Sequence, residues 1–166
     1  MLNSIIQIVS TILVAIEVFL VYRQTRLVAK QLKAGNEWNK VQATLSTVEK
    51  YGTLIGQIED SVLDQIKLIA LQPHDVSINE MTAFLADTTK RKQLFLLCDF
   101  FEELSIGVRL GYLNEEVAYQ QLYTPVVHNY ENLQVYIQVR RAETKVNVLS
   151  NYEWLAKRWR KMETGS

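Results

Sequence analysis

From Ile5 to Tyr22 the chain runs for eighteen residues, of which fourteen are apolar. Wound as an α-helix the run is about 27 Å long, close to the hydrocarbon thickness of a bilayer. It therefore reads as a membrane span. The hydrophilic groups that interrupt it are not scattered. At alternating steps of four and three, Asn3, Gln7, Ser10, Val14, Glu17, Val21 and Gln24 share one face, with Ser4, Thr11, Val18 and Thr25 on the adjacent row. A carboxylate such as Glu17 well inside hydrocarbon costs roughly 3 kcal/mol or more, so it faces protein or water rather than lipid. With one span per chain, that shelter has to come from other copies.

Two arrangements satisfy this condition. In one, the hydroxyls and amides are interhelical glue worth about 0.6 kcal/mol per bond, and Glu17 is protonated or reaches toward the headgroups. In the other, three to five copies surround a water-filled path lined by Asn3, Gln7, Ser10 and Glu17, with Val14 and Val21 as apolar constrictions. Helix geometry alone leaves both open. Orientation is better specified: Arg23, Arg26, Lys30 and Lys33 follow the run with no acid among them, and no Lys or Arg precedes it. The positive-inside rule then places the amino terminus outside and the carboxy-terminal side in the cytoplasm. A cleaved signal peptide fits poorly, because there is no basic leading region and no small-x-small site.

The expected organisation is a transmembrane helix over 1–24, a cytoplasmic helical domain over 25–163 and a disordered tail over 164–166. The chain holds 18 basic and 18 acidic residues, so no bulk attraction to a polyelectrolyte is implied, only local patches. Its single cysteine, Cys98, lies in the apolar stretch Leu94–Cys98 and reads as a small buried residue. Past the span, the residues from Arg23 to about Leu71 are rich in Lys, Gln, Leu and Ala and contain no proline, so the membrane helix is expected to run through Ala34-Gly35-Asn36. Trp38, Val41, Leu45 and Val48 would continue the packing between copies, Ile55, Ile58, Val62, Ile66 and Ile69 would form the next buried stripe, and the helix would end before Pro73.

Further along, Ser77-Ile78-Asn79-Glu80 has the form of a capping box, and Asp87 or Thr88 is placed to cap a helix over Thr89 to Leu110. That helix is apolar on nearly every side, Phe95 and Ile106 included, and reads as the central buried one. Gly111 would stop it and Asn114 would start another. Pro125 either begins or kinks a helix. From Val126 a long helix is expected, with Val135, Val139, Ala142, Val146 and Leu149 in one row, and Ser150 or Asn151 would cap a last helix carrying Trp154, Leu155 and Trp159. With no period-two alternation and no internal repeat, the fold class is all-α: an amino-terminal transmembrane helix continuing into a cytoplasmic helical bundle.

Catalytic constellations are missing. His74 and His128 have no ligand at three- or four-residue spacing, the pairs Glu102-Glu103 and Glu115-Glu116 read as solvated faces or caps, and there is no phosphate loop, nucleophile elbow or Cys-x-x-Cys. The chain is not expected to be an enzyme or to need a cofactor or metal. Charge is segregated instead. Between Arg140 and Lys161 seven basic residues face only Glu143 and Glu153, whereas five acids between Asp99 and Glu116 face only Arg109. These regions either pair with each other or leave an anion site. In the second case a nucleotide or single-stranded nucleic acid would be held by Arg140, Arg141 and Lys145, with Lys90, Arg91 and Lys92 as a second cluster and Tyr130 or Tyr136 for stacking. A third use of the basic, tryptophan-bearing end is to lie on the inner leaflet.

The stretch Phe101-Glu102-Glu103-Leu104-Ser105-Ile106-Gly107-Val108-Arg109-Leu110-Gly111-Tyr112-Leu113, followed by Asn151-Tyr152-Glu153-Trp154-Leu155-Ala156 and Trp159, resembles a family of small bacterial single-span proteins with a helical cytoplasmic domain. Within that group it is most similar to the membrane effectors of Hailong-type anti-phage systems. The resemblance covers most of the chain, and its motifs are structural. It implies a homotetrameric ion channel of the bacterial inner membrane, shut by a single-stranded deoxyadenosine oligomer that a partner nucleotidyltransferase makes. Loss of the oligomer during infection would open the channel and stop growth. No ligand residue carries over, so the basic candidates rest on charge. A membrane-anchored interaction scaffold, or a regulator that binds a protein partner through its acidic band, stays open as the alternative.

Overall fold

A computed structural model describes the backbone of residues 2–58, 62, 64 and 77–165, with side chains described from residue 19 onward. Among the described residues every regular element is helical: α1 (Leu2–Gln57), α2 (Ile78–Leu85), α3 (Thr88–Arg109), α4 (Glu115–Asn132), α5 (Gln134–Thr144) and α6 (Ser150–Glu163). The chain divides into two compact units, Met1–Asn39 and Lys40–Ser166.

In the first unit α1 passes through Ala34-Gly35-Asn36 without a break, since nothing there removes a backbone donor. Its described apolar side chains, among them Val21, Leu27, Val28, Leu32 and Trp38, are all exposed in the single chain. Among the described residues no helix is long and apolar enough to cross a membrane. Most of the apolar run expected to do so, Ile5 to Val18, lies outside the residues whose side chains are described, as do Asn3, Gln7, Ser10, Val14 and Glu17.

Among the described residues, the second unit is built from the end of α1 and helices α2 to α6. Contrary to the expectation of an unbroken helix toward Leu71, α1 ends at Gln57, and Ile58 closes its last turn by donating to the Ile55 carbonyl at 3.2 Å. Ile58 and Val62 are buried as expected, while Ile66, Ile69 and Pro73 lie outside the described residues. The capping box forms: the Ser77 hydroxyl accepts from Glu80 N and the Glu80 carboxylate accepts from Ser77 N. Asp87 caps α3 by accepting from the amides of Thr89 and Lys90. Gly111 ends the next turn at φ +74°, leaving the Gly107 carbonyl to accept from both Tyr112 and Leu113. Asn114 caps α4 by accepting from the Val117 amide.

The core forms where α3, α4 and α6 meet. Phe101 stacks on Tyr152 with ring centroids 4.8 Å apart, Tyr51 of α1 lies 5.3 Å from Phe100, and Trp159 is fully enclosed with Tyr119 edge-on to it at 5.5 Å. Cys98 is buried, and burial pushes its thiol above the usual range. Three expectations are corrected. Phe95 and Ile106 of α3 are exposed, because the neighbouring described helices cover only one side of it. No single helix begins at Val126: α4 continues through Pro125 and stops at Leu133, whose φ of −95° and ψ of 10° interrupt the chain before α5. The row ending in Val146 and Leu149 is broken because α5 stops at Thr144, and Val146 is exposed.

Candidate functional site

The local pattern of α3 puts Thr88, Arg91, Phe95, Asp99 and Glu102 at steps of three and four, hence on one face. Tyr136 and Arg140 of α5 stand on one face in the same way. Where these faces meet, Leu85, Ala86, Thr88, Arg91, Lys92, Phe95, Tyr136 and Arg140 line a cavity of about 410 Å³. A second recess of about 260 Å³ shares Phe95, Tyr136 and Arg140 with it and adds Asp99, Glu102 and the loop residues Val148 and Leu149. The two form one groove with a cationic lobe and an acid-walled lobe.

Arg140 is held in place. Its Nη1 lies 2.7 Å from Oε2 of Glu143, one turn further along α5, and Nη2 of Arg91 on α3 lies 3.5 Å from the same oxygen. Tyr136 lies against the groove almost wholly buried, and burial raises its hydroxyl pKa well above the usual value. The exposed Phe95 ring is the surface on which a planar group can stack.

Of the residues expected to hold an anion, Arg140, Arg91 and Lys92 come together here, which joins two clusters about fifty residues apart in sequence. The others do not. Arg141 is a structural residue, its Nη2 2.7 Å from Glu153 Oε2 and its Nε donating to the Val148 carbonyl at 3.0 Å. Lys90 turns away, its ammonium 5.4 Å from the centroid of the Phe84 ring. Lys145 caps α5 in the left-handed region at φ 54°. Tyr130 is half-buried, its ring edge-on to Tyr152 at 5.4 Å, so it is a packing residue rather than a stacking platform. Val21, the described member of the proposed pore face, is exposed and its carbonyl accepts from the Thr25 hydroxyl at 2.8 Å.

Sequence reasoning missed Phe95, which its apolar neighbours disguise as core. The signal that could have found it was its step of four from both Arg91 and Asp99, a spacing that places an aromatic ring in a polar row. The carboxy-terminal basic residues are largely consumed within the chain. Arg158 makes a two-pronged bond to Glu115, at 2.6 and 3.0 Å, Arg160 meets Glu131, and Lys157 and Arg141 share Glu153. The apolar side of α6 is also spoken for, with Tyr152, Leu155, Ala156 and Trp159 buried against the bundle, which removes the face it would need to lie on a leaflet.

Fold and groove together define an all-α protein whose helical domain carries a surface groove of cations and exposed aromatic ring. Over residues 4–159 the sequence matches the family described as a domain of unknown function, DUF4760, and the chain belongs to that family. No curated protein and no solved structure matches it.

Proposed function

We propose that the chain is a single-span, self-associating ion channel of bacterial anti-phage defence, set in the inner membrane with its amino terminus outside. Its cytoplasmic helical domain holds an anionic ligand, a nucleotide or a single-stranded DNA oligomer, in the groove between α3 and α5. The observation that carries the channel reading is the position of Glu17: a carboxylate within an eighteen-residue apolar run, in line with Asn3, Gln7 and Ser10. Copies that turn this face toward one another keep it out of lipid and wet the space between them. Support for a ligand comes from Arg91, Lys92 and Arg140 lying around one cavity beside the Phe95 ring, the combination that holds phosphates while a base stacks. The resemblance to membrane effectors of anti-phage systems supports both halves, and it brings in the tetramer and a partner nucleotidyltransferase.

A membrane-anchored scaffold is the second reading, favoured by Leu96, Leu110 and Tyr112, which stand exposed in the single chain as a protein partner would need. Expression of the chain alone separates the two. A channel without its ligand arrests growth, and Ser10→Leu with Glu17→Leu relieves the arrest. A scaffold is harmless in both forms. In liposomes Glu17→Ala is expected to change ion selectivity or conductance, and unchanged currents would remove Glu17 from the path.

A further inference from the structure

We infer that Glu143 is a built-in competitor for the groove, a carboxylate that occupies the guanidiniums of Arg140 and Arg91 until an incoming anion displaces it. The inference rests on the reading of the groove as an anion site and adds how that site is regulated.

One oxygen, Oε2 of Glu143, serves both arginines, at 2.7 Å from Arg140 and 3.5 Å from Arg91, and so ties α5 to α3 through two of the residues that line the cationic lobe. A phosphate oxygen there would want the same two donors. The position is also a poor one for an acid. Glu143 is the second-last residue of α5, where the helix carries its partial negative charge, so the macrodipole disfavours its carboxylate and leaves the arginines as its main stabilisation. The side chain is 41% exposed, so it can swing into water without unpacking anything, whereas Arg140 at 19% stays where it is. An entering anion thus exchanges one partner of a fixed cation for another.

The connection beyond Glu143 borders the same groove. The chain leaves α5 through Lys145 and enters α6 through Leu149, both in the left-handed region at φ 54° and 59°, a conformation that non-glycine residues adopt at a cost. Val148 and Leu149 of this connection line the acid-walled lobe.

The test uses the full chain in detergent, with a fluorescein-labelled deoxyadenosine oligomer as the probe and fluorescence anisotropy as the readout. Glu143→Gln is expected to bind roughly three- to tenfold tighter than the wild type, because the exposed pair it removes is of modest strength. The gain should vanish when Arg140→Gln is present as well. Asp99→Asn, which removes a groove carboxylate bonded to neither arginine, controls for the general effect of charge on a polyanion. Equal or weaker binding by Glu143→Gln overturns the inference. So does a gain no larger than that of Asp99→Asn, or one that survives in the Arg140→Gln background. If Arg140→Gln and Arg91→Gln bind the probe as the wild type does, the groove is not the anion site and the reading beneath the inference fails instead. Melting temperatures of all variants verify that each is folded.

Discussion

The carboxylate of Glu102 on α3 closes the amino end of α6, its Oε2 accepting from the Tyr152 amide at 2.7 Å while Oε1 accepts from the Asn151 amide and side chain at 3.2 and 2.8 Å. The residue in the capping position, Leu149, has no side chain that can accept a hydrogen bond, so the first turn of α6 takes its acceptor from a helix about fifty residues earlier. A negative charge at the positive end of a helix adds to the effect. One side chain thereby fixes the position of α6 on α3.

Glu102→Ala is therefore expected to lower stability by about 1–2 kcal/mol, as loss of a charged cap does. Its neighbour Glu103 pairs with Lys50 at the surface, both side chains more than half exposed, and Glu103→Ala should stay within about 0.5 kcal/mol. Chemical denaturation of the two variants in mild detergent compares them directly. Similar losses would show that the cap is not what seats α6.

Acid should weaken the α5–α6 corner first. The Glu153 carboxyl is held down at about 2, first by the hydrogen bond from Lys157 and then by that from Arg141, with burial acting in the opposite sense. A carboxyl whose folded pKa lies below its unfolded value of about 4.3 contributes stability at higher pH and loses it as pH falls through the folded value. The denaturation midpoint is thus expected to drop between about pH 4.5 and 2, and Glu153→Gln should flatten that limb while lowering stability near neutrality. A variant with the same acid slope as the wild type would assign the drop to other carboxyls.

Thr44 is a polar residue with no exposed surface. Its hydroxyl donates to the Lys40 carbonyl at 2.7 Å and accepts from the Asn114 amide at 2.8 Å, so the loop between α3 and α4 is fastened to α1 through one oxygen. Thr44→Val keeps the shape and leaves that amide without an acceptor, which should cost about 1–2 kcal/mol. Thr44→Ser should recover most of it. Hydrogen exchange at Asn114 reads the effect locally, and an amide equally protected in Thr44→Val would show that another acceptor replaces the hydroxyl.

Close packing decides a fourth case. A methyl group on Gly107 would lie 2.7 Å from Cδ1 and 2.9 Å from Cγ of Leu113, which is folded back over α3 by the Gly111 turn. Gly107→Ala should gain about 1 kcal/mol from helix propensity, but it forces the half-buried Leu113 side chain to move, so a net loss of up to about 1 kcal/mol is expected instead. Adding Leu113→Ala should cost less than the two separate losses combined, because the second change removes what the methyl strikes. Strict additivity in thermal melts would mean that the close contact is relieved some other way.

Sequence reading succeeded where the decisive interaction is short-range. Ser77 with Glu80, Asp87, Asn114 and Gly111 were all legible, because each cap is completed within a few residues and its chemistry depends on little else. It failed at Leu133, where α4 gives way to α5 with neither glycine nor proline to announce it, and at Leu149, whose cap comes from Glu102. Both depend on how neighbouring helices sit. The candidate groove was half legible: residue types and charge identified Arg140, Arg91 and Lys92, while Arg141 and Tyr130 carry the same chemistry and are spent on Glu153 and Tyr152.

By itself the sequence determined the all-helical class, the starts of α2, α3 and α4, the stop of α3, and the burial of Cys98, Leu104, Leu155 and Trp159, because hydrophobic period and capping are properties of short windows of chain. Only the tertiary structure decided which side of α3 faces water, which cation meets which carboxylate, and that α3 and α5 bring their arginines to a single Glu143 oxygen. Those outcomes turn on distances between residues far apart along the chain, which packing sets and residue order does not encode locally.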